Sequence, residues 1–221
     1  MNIIQSLVHV IIMYLFILKI SVTNHFCISL SMCGIAGLCK SSEIADSDLL
    51  HEMVSVLAHR GPDHADVHLE EQLGLGHSRL SIIDLSGGDQ PFIEESDGLV
   101  LVANGEVYNH IELRAELEAQ GRQFQTYSDC ETILHAYAVY GDDFLSHIGG
   151  MFAFALYDRK NQRLILARDR LGMKPLFLAE TEQGVCFASE IKALLPALPG
   201  KPAVNPAALI QFLQNQNASG R

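Results

Sequence analysis

The stretch MCGIAGL, residues 32–38, joins a methionine–cysteine pair to a short apolar run. The run from Gly34 to Leu38 predicts a buried strand. Removal of the methionine would leave Cys33 with a free α-amine beside its thiol, and these groups ordinarily have pKa values of about 7.7–8.0 and about 8.5. The amine could therefore accept the thiol proton without a separate histidine. The alternative is a chance dipeptide inside a strand.

Beyond this strand, apolar runs alternate with amphipathic segments. Asp46 and Ser47 can cap a helix with apolar residues at helical spacing. Two further helices are predicted, at 111–119 with an apolar stripe from Ile111 to Leu117, and at 131–140, opened by Ser128 or Asp129. The other apolar runs predict strands at 66–69, 74–83, 99–107, 151–157, 163–168, 175–179 and 185–188. Strands that are apolar on both faces imply stacked layers. We therefore expect an α+β sandwich with sheets inside and helices outside.

Composition excludes several classes of function. The chain has 221 residues and a net charge of −11, which argues against a general binder of nucleic acid or of anionic membranes. Its five cysteines are scattered and form no pair at zinc-ligand spacing. We therefore expect no metal site and a reducing, cytoplasmic location.

Residues 1–31 form an apolar leader with one charged side chain, Lys19. The apolar run at 7–20 is shorter than the roughly 20 residues that span a bilayer, and no Lys or Arg precedes it. We interpret the leader as upstream sequence translated from a wrongly chosen start. A secretory or membrane role is the alternative.

Eight segments further along the chain point to a known family. They are MCGIAGL (32–38), HRGPD (59–63), GHSRLSIIDLSGGDQP (76–91), NGEVYN (104–109), SDCE (128–131), GMFAFALYD (150–158), ARDRLGMKPL (167–176) and FASEIKAL (187–194). In this order they resemble the N-terminal glutaminase domain of the asparagine synthetase family, a class II glutamine amidotransferase. The resemblance implies a four-layer αββα sandwich of the N-terminal-nucleophile hydrolase type over residues 32–197. Residues 198–221 would be a linker and the start of a further, truncated region.

The resemblance also implies roles for individual residues. Cys33 would attack the side-chain amide carbon of L-glutamine and form a thioester. The Asn104 side-chain amide and the Gly105 backbone N–H would stabilise the negative charge that develops on the amide oxygen. Taken alone, Asn-Gly is a common hairpin turn.

Free glutamine also carries a carboxylate and an ammonium group, and each needs a countercharge. The resemblance assigns the carboxylate to Arg79, whose planar guanidinium suits it, and the ammonium to Glu106 and Asp129. Arg79 could instead form a structural ion pair, and Asp129 could cap a helix. The segment after Arg79 is expected to line the pocket with its backbone: Leu80, Ser81, Ile82 and Ile83.

The family's ATP loop, SGG-x-DS, has no match in this sequence. Ser86-Gly87-Gly88 is followed by Asp89 and Gln90 instead of the required pattern. We therefore expect the glutaminase reaction to need no cofactor, with ATP and Mg²⁺ confined to a synthetase domain that is missing or supplied in trans. The sequence leaves a homodimer open.

Two alternative functions remain. One is a class II amidotransferase with another ammonia acceptor. The other is an inactive, truncated glutamine-binding protein held at a membrane by its leader, because residues before Cys33 would give it a peptide nitrogen instead of an amine. Activity requires translation from Met32 or cleavage of a propeptide.

Overall fold

A computed structural model describes residues 9–13, 32–82, 84 and 87–215 of the chain, with 9–13 described as backbone only. The strands are β1 (His9–Met13), β2 (Gly34–Lys40), β3 (His64–Glu70), β4 (Leu73–Arg79), β5 (Phe92–Glu94), β6 (Leu99–Val107), β7 (Gly150–Asp158), β8 (Arg163–Arg168), β9 (Phe177–Thr181) and β10 (Gly184–Ala188). The α-helices are α1 (Ser47–Ser55), α2 (His110–Ala119), α3 (Glu131–Tyr140), α4 (Phe144–His147), α5 (Ile191–Leu194) and α6 (Pro206–Asn215). Short 3₁₀ turns cover Gly141–Asp143 and Leu195–Ala197.

The strands form two five-stranded sheets. One has the order β1-β8-β7-β6-β5 and the other the order β3-β4-β2-β10-β9. The pairs among β2 to β10 are antiparallel, whereas β1 pairs in parallel with β8. The register of β6 and β7 places Asn104 opposite Ala153 and Gly105 opposite Phe152.

Three buried apolar layers hold the molecule together. The central layer lies between the sheets and joins Ile35 and Leu75 of one sheet to Val102 and Leu166 of the other. A second layer packs α1 and α5 against β2 and β10. A third packs α2, α3 and α4 against β6, β7 and β8. Burial of a large aliphatic or aromatic side chain contributes about 1.5–3 kcal/mol. The result is the predicted α+β, four-layer αββα sandwich.

Helix α1 shows how local sequence and packing agree. The carboxylate of Asp46 accepts the backbone N–H groups of Asp48 and Leu49, as an N-cap should. Leu50 and Met53 are then buried against β2 and β4. The predicted cap and the predicted apolar face are both confirmed.

Three local predictions were wrong, and one strand was missed. Strand β4 ends at Arg79 instead of residue 83, because the chain leaves the sheet and places the Leu80 backbone against Cys33. Strand β5 was not predicted, since it has only three residues. The Asp129 side chain bonds to Val107 and caps no helix, and Ser128 provides no side-chain cap either. Ile111 is exposed, so the apolar face of α2 consists of Leu113 and Leu117.

The leader contributes only β1 to the described residues. The remainder of residues 1–31, including most of the apolar run, lies outside them, as do Ile83 and Ser86. Among the residues that the structure describes, no helix has the length and apolarity needed to cross a membrane.

Candidate active site

Cys33 lies immediately before β2 and beside the end of β4. Its Sγ accepts a hydrogen bond from the Leu80 N–H at 3.3 Å, and its S–H faces the Leu80 carbonyl at 3.5 Å. Burial raises the pKa of this thiol, while the Leu80 N–H and the positive charges of Arg79 and Lys174 act to lower it. The thiol is therefore half-buried and electrostatically coupled to two cations.

The backbone of Cys33 is held from the opposite side by Arg60. The Arg60 Nε donates to the Cys33 carbonyl at 3.1 Å, and Nη1 donates to Glu190 Oε1 at 3.0 Å. Partial burial alone would raise the pKa of Glu190, but hydrogen bonds from Arg60, His59 and Lys192 lower it below its usual value. The Arg60 side chain at its carbonyl and the Leu80 backbone at its thiol thus hold Cys33 in place.

The predicted site residues come together around one cavity, which offers about 90 Å³ to the centre of a water molecule. Eight of them line it: Cys33, Arg79, Leu80, Ile82, Asn104, Gly105, Glu106 and Asp129. Ser81 does not line it, and its N–H donates instead to Asp63 Oδ2 at 2.7 Å. Ile83 lies outside the described residues.

Asn104 and Gly105 occupy the wall formed by β6. Asn104 is 2% exposed, and its Nδ2 has no hydrogen-bond partner among the described residues. A buried N–H group without a partner is costly, so it is available to a ligand oxygen. At Gly105 a Cβ atom would lie 2.6 Å from the Met151 carbonyl oxygen, which shows how tightly β7 packs there.

Arg79 forms the cationic wall and is buried. Its Nη1 donates to Asp89 Oδ1 at 2.6 Å, and its Nη2 donates to the Asp84 carbonyl. Arg79 therefore forms a structural ion pair and also lines the predicted substrate pocket. These contacts hold the guanidinium at the wall of the cavity.

The acidic wall contains Glu106 and Asp129. Asp129 is buried, and its Oδ2 accepts the Val107 N–H at 2.7 Å, just after Glu106 on β6. The neighbouring Cys130 thiol points to the Gly105 carbonyl, and burial first, then the charge of Asp129, raises its pKa well above the usual value. Cys130 is therefore a buried neutral thiol.

Several residues that line the cavity were not recognised from the sequence. Gln90 hydrogen-bonds to Ala103, and Lys174 reaches the cavity from the loop between β8 and β9. His77 is buried on β4, and burial lowers its pKa to about 3, so it is neutral near pH 7. The segments GGDQP and GMKPL contained the only signal for Gln90 and Lys174. Within the described ranges, no cluster of His, Cys, Asp and Glu could hold a metal ion.

Comparison with known proteins identifies the family of this chain. Residues 32–220 match the family model described as "Glutamine amidotransferase domain". The chain is 41% identical over 167 residues to asparagine synthetase [glutamine-hydrolyzing] 2 of Bacillus subtilis, covering 74% of this chain and 22% of that protein. It is 42% identical over 168 residues to asparagine synthetase B [glutamine-hydrolyzing] of Escherichia coli, covering 75% and 30%.

Fold comparison gives the same architecture. The structure matches glutamine phosphoribosylpyrophosphate amidotransferase from B. subtilis, in complex with ADP and GMP, with a TM-score of 0.62 and 24% identity, over 73% of this chain and 43% of that one. This likeness concerns the fold alone. The chain spans less than a third of the length of the two curated relatives. With its family model covering almost all residues after the leader, the chain belongs to the glutamine amidotransferase domain family.

Proposed function

We propose that this domain hydrolyses L-glutamine to L-glutamate and ammonia with Cys33 as the nucleophile. The observation that carries the proposal is the single cavity shared by Cys33, Arg79, Asn104 and Asp129. It combines a thiol, an unpartnered amide donor, a cation and a carboxylate. These are the groups needed to attack an amide and to recognise the two charges of a free amino acid.

The reaction proceeds in two balanced steps. The thiol sulfur attacks the amide carbon of glutamine, the thiol proton passes through the base to the leaving nitrogen, and ammonia departs from a γ-glutamyl thioester. Water then attacks the thioester carbon, which releases glutamate and restores the thiol. Negative charge on the former carbonyl oxygen is stabilised by Asn104 Nδ2 and the Gly105 N–H.

Substrate orientation follows from the charges of the cavity. Arg79 would receive the α-carboxylate of glutamine, and Glu106 with Asp129 would receive its α-ammonium group. The hydrogen bond from Val107 to Asp129 holds that carboxylate in place before substrate arrives. This preorganisation supports recognition of free glutamine over a peptide amide.

The base in this mechanism is the α-amine of Cys33, which exists only when the bond to Met32 is absent. We propose that active protein arises by translation from Met32 and removal of that methionine, or by cleavage of a longer leader. The match of the family model beginning at residue 32 supports this boundary.

We further propose that the ammonia serves an ATP- and Mg²⁺-dependent amidation of aspartate in a synthetase domain, while glutamine hydrolysis itself needs no cofactor. The printed names of the two curated relatives support this acceptor. A cytoplasmic location is supported by the free thiols of Cys33, Cys39, Cys130 and Cys186.

Glutamate release from glutamine by the purified protein, with its N-terminus established by intact mass, tests the proposal. Cys33→Ala is expected to abolish hydrolysis, whereas Cys186→Ala, a buried cysteine outside the cavity, should retain it. Full activity of Cys33→Ala would contradict the mechanism.

A second measurement separates the enzyme from a non-catalytic glutamine-binding protein. A glutamine-like diazoketone should add covalently to Cys33 and increase the intact mass. A retained leader with no adduct would favour the binding protein.

A further inference from the structure

Lys174 is a buried cation that the proposed mechanism does not use. It is 6% exposed and lines the cavity together with Cys33. Its Nζ lies 3.2 Å from Met32 Sδ, and no carboxylate of the described residues forms a salt bridge with it. A thioether is a weak acceptor, so this contact offsets little of the cost of burying an ammonium group.

The loop that carries Lys174 is rigidly tied to the sheet. The carboxylate of Asp169 accepts the backbone N–H groups of Lys174, Met173 and Leu171, and also that of Phe152 on β7. Phe152 pairs with Gly105 across β6 and β7. The loop is therefore anchored at the level of the proposed oxyanion donor.

Arg168 completes the support. Its Nε donates to the carbonyl of Lys174 at 2.6 Å, and its Nη2 donates to the carbonyl of Gly172 at 2.7 Å. A buried cation on a loop fixed at both its N–H and its C=O is a preorganised charge.

The position of this charge relative to Cys33 is set by Met32. Met32 Sδ is separated by five covalent bonds from the Cys33 nitrogen, so loss of Met32 would remove the contact of Nζ next to the residue that carries the new α-amine. The charge of Lys174 also acts on the Cys33 thiol, where it opposes the effect of burial on the pKa. The thiol therefore lies within the field of Lys174, and the amine that loss of Met32 would create belongs to the same residue.

We propose that Lys174 is a positioning residue for Cys33, whose ammonium group favours the deprotonated forms of the Cys33 thiol and of the α-amine. The inference rests on the proposed glutaminase function for the amine and stands independently for the thiol. A positive charge nearby disfavours protonation of an amine and favours a thiolate. Lys174 thus increases the fraction of neutral, proton-accepting amine near pH 7.

Other charged side chains on neighbouring elements also act on the thiol and the amine of Cys33. The cations are Arg60 before β3 and Arg79 on β4, and the carboxylates are Glu106 on β6, Asp129 before α3 and Glu190 before α5. Arg60 is paired with Glu190, and Arg79 is paired with Asp89. His77 is neutral in the relevant pH range. Because these groups are unchanged when Lys174 alone is replaced, the change isolates its charge.

The test compares Lys174→Met with Lys174→Arg, which keeps the charge, and with Lys201→Met, which removes an exposed lysine elsewhere. In the full chain, the rate of Cys33 alkylation by iodoacetamide is measured against pH. We expect its midpoint to move up by about 1 unit in Lys174→Met and to stay near that of the unmodified protein in the other two variants. Thermal unfolding confirms that each variant is folded.

In protein that begins at Cys33, the same substitution should move the acidic limb of kcat/KM for glutamine to higher pH. Lower activity without movement of either pH profile would mean a merely structural Lys174 and would overturn the proposal. Absence of glutaminase activity in the unsubstituted protein would contradict the proposed function, while the alkylation profile would still decide the effect of Lys174 on the thiol.

Discussion

The side-chain amide of Gln90 pairs with both backbone polar groups of Ala103. Its Nε2 donates to the Ala103 carbonyl at 3.1 Å, and its Oε1 accepts the Ala103 N–H at 2.6 Å. In the register of β5 and β6, Phe92 faces Leu101, so Gln90 lies level with Ala103. The Gln90 side chain thus continues the hydrogen-bond ladder beyond β5 and fixes β6 at the residue just before Asn104.

Replacement of Gln90 by Leu should destabilise the domain and weaken catalysis together. It leaves two buried backbone groups without partners, at a cost of about 1–3 kcal/mol each, and it loosens Asn104. We expect a lower urea midpoint and a lower kcat for glutamine hydrolysis. Gln123→Leu, at an exposed position, is the matched control. Unchanged unfolding of Gln90→Leu would show that water satisfies these groups.

Gly105→Ala should disrupt the junction of β6 and β7. The added Cβ would lie 2.6 Å from the Met151 carbonyl oxygen and 2.8 Å from the Phe152 Cα, and backbone cannot move aside as a flexible side chain can. We expect destabilisation of about 1–3 kcal/mol and a marked loss of kcat, measured by thermal unfolding and glutamate release. Gly200→Ala meets no atom within 4 Å and should change neither quantity. A fully active Gly105→Ala protein would show that β7 leaves room for a Cβ atom at residue 105.

His77 should make stability depend on pH in the acid range. Its pKa is lowered from 6.5 to about 3 by burial, so below pH 6.5 the unfolded chain binds a proton that the folded chain does not. The stabilising effect of the neutral ring is present above pH 6.5 and is lost as the pH falls towards 3, by about 1.4 kcal/mol per unit.

Urea unfolding between pH 4 and pH 7 checks this effect through the slope of the free energy of unfolding against pH. The free energy of unfolding of His77→Gln should fall less steeply with decreasing pH than that of the unsubstituted protein. The comparison of slopes is independent of any constant loss of stability from the substitution itself. Parallel slopes would mean that His77 becomes protonated in the folded protein.

Arg60→Met should impair catalysis more than stability. It removes the donor to the Cys33 carbonyl and one of the three side-chain donors to Glu190. A nucleophile that shifts by about 1 Å loses on the order of 10²-fold in rate. We expect a lower kcat with a smaller change in KM, whereas Arg170→Met, at an exposed position, should behave as the unsubstituted protein. Equal kcat values for the two variants would show that Arg60 does not position Cys33.

Local sequence was sufficient to predict those elements that depend on residues close together in the chain. Asp46 caps α1 within three residues, and Leu50 and Met53 recur at helical spacing. The long apolar runs of β6, β7 and β8 predicted strands that are buried on both faces, and hence a layered core. Strand β5 escaped prediction because three residues have too little periodicity.

The site required more than local signals. The motifs indicated Cys33, Arg79, Asn104 and Asp129 through family resemblance, and the structure places all four around one cavity. An aspartate directly before a helix is typical of a helix cap, and Asp129 has this position in the sequence. Its carboxylate instead accepts the N–H of Val107, 22 residues away in sequence. Such a contact has no periodic signature.

The sequence by itself determined most of the strands and helices and the layered fold class, and it predicts Cys33 as the nucleophile, since these depend on apolar spacing, capping and a methionine–cysteine pair. Tertiary structure alone decided that Arg60 holds the Cys33 carbonyl and that Lys174 reaches Met32 across 142 positions of sequence. The physical reason is distance. Propensity and periodicity act over a few residues, whereas the charge and hydrogen bonds around a nucleophile come from loops that only the packing of two sheets brings together.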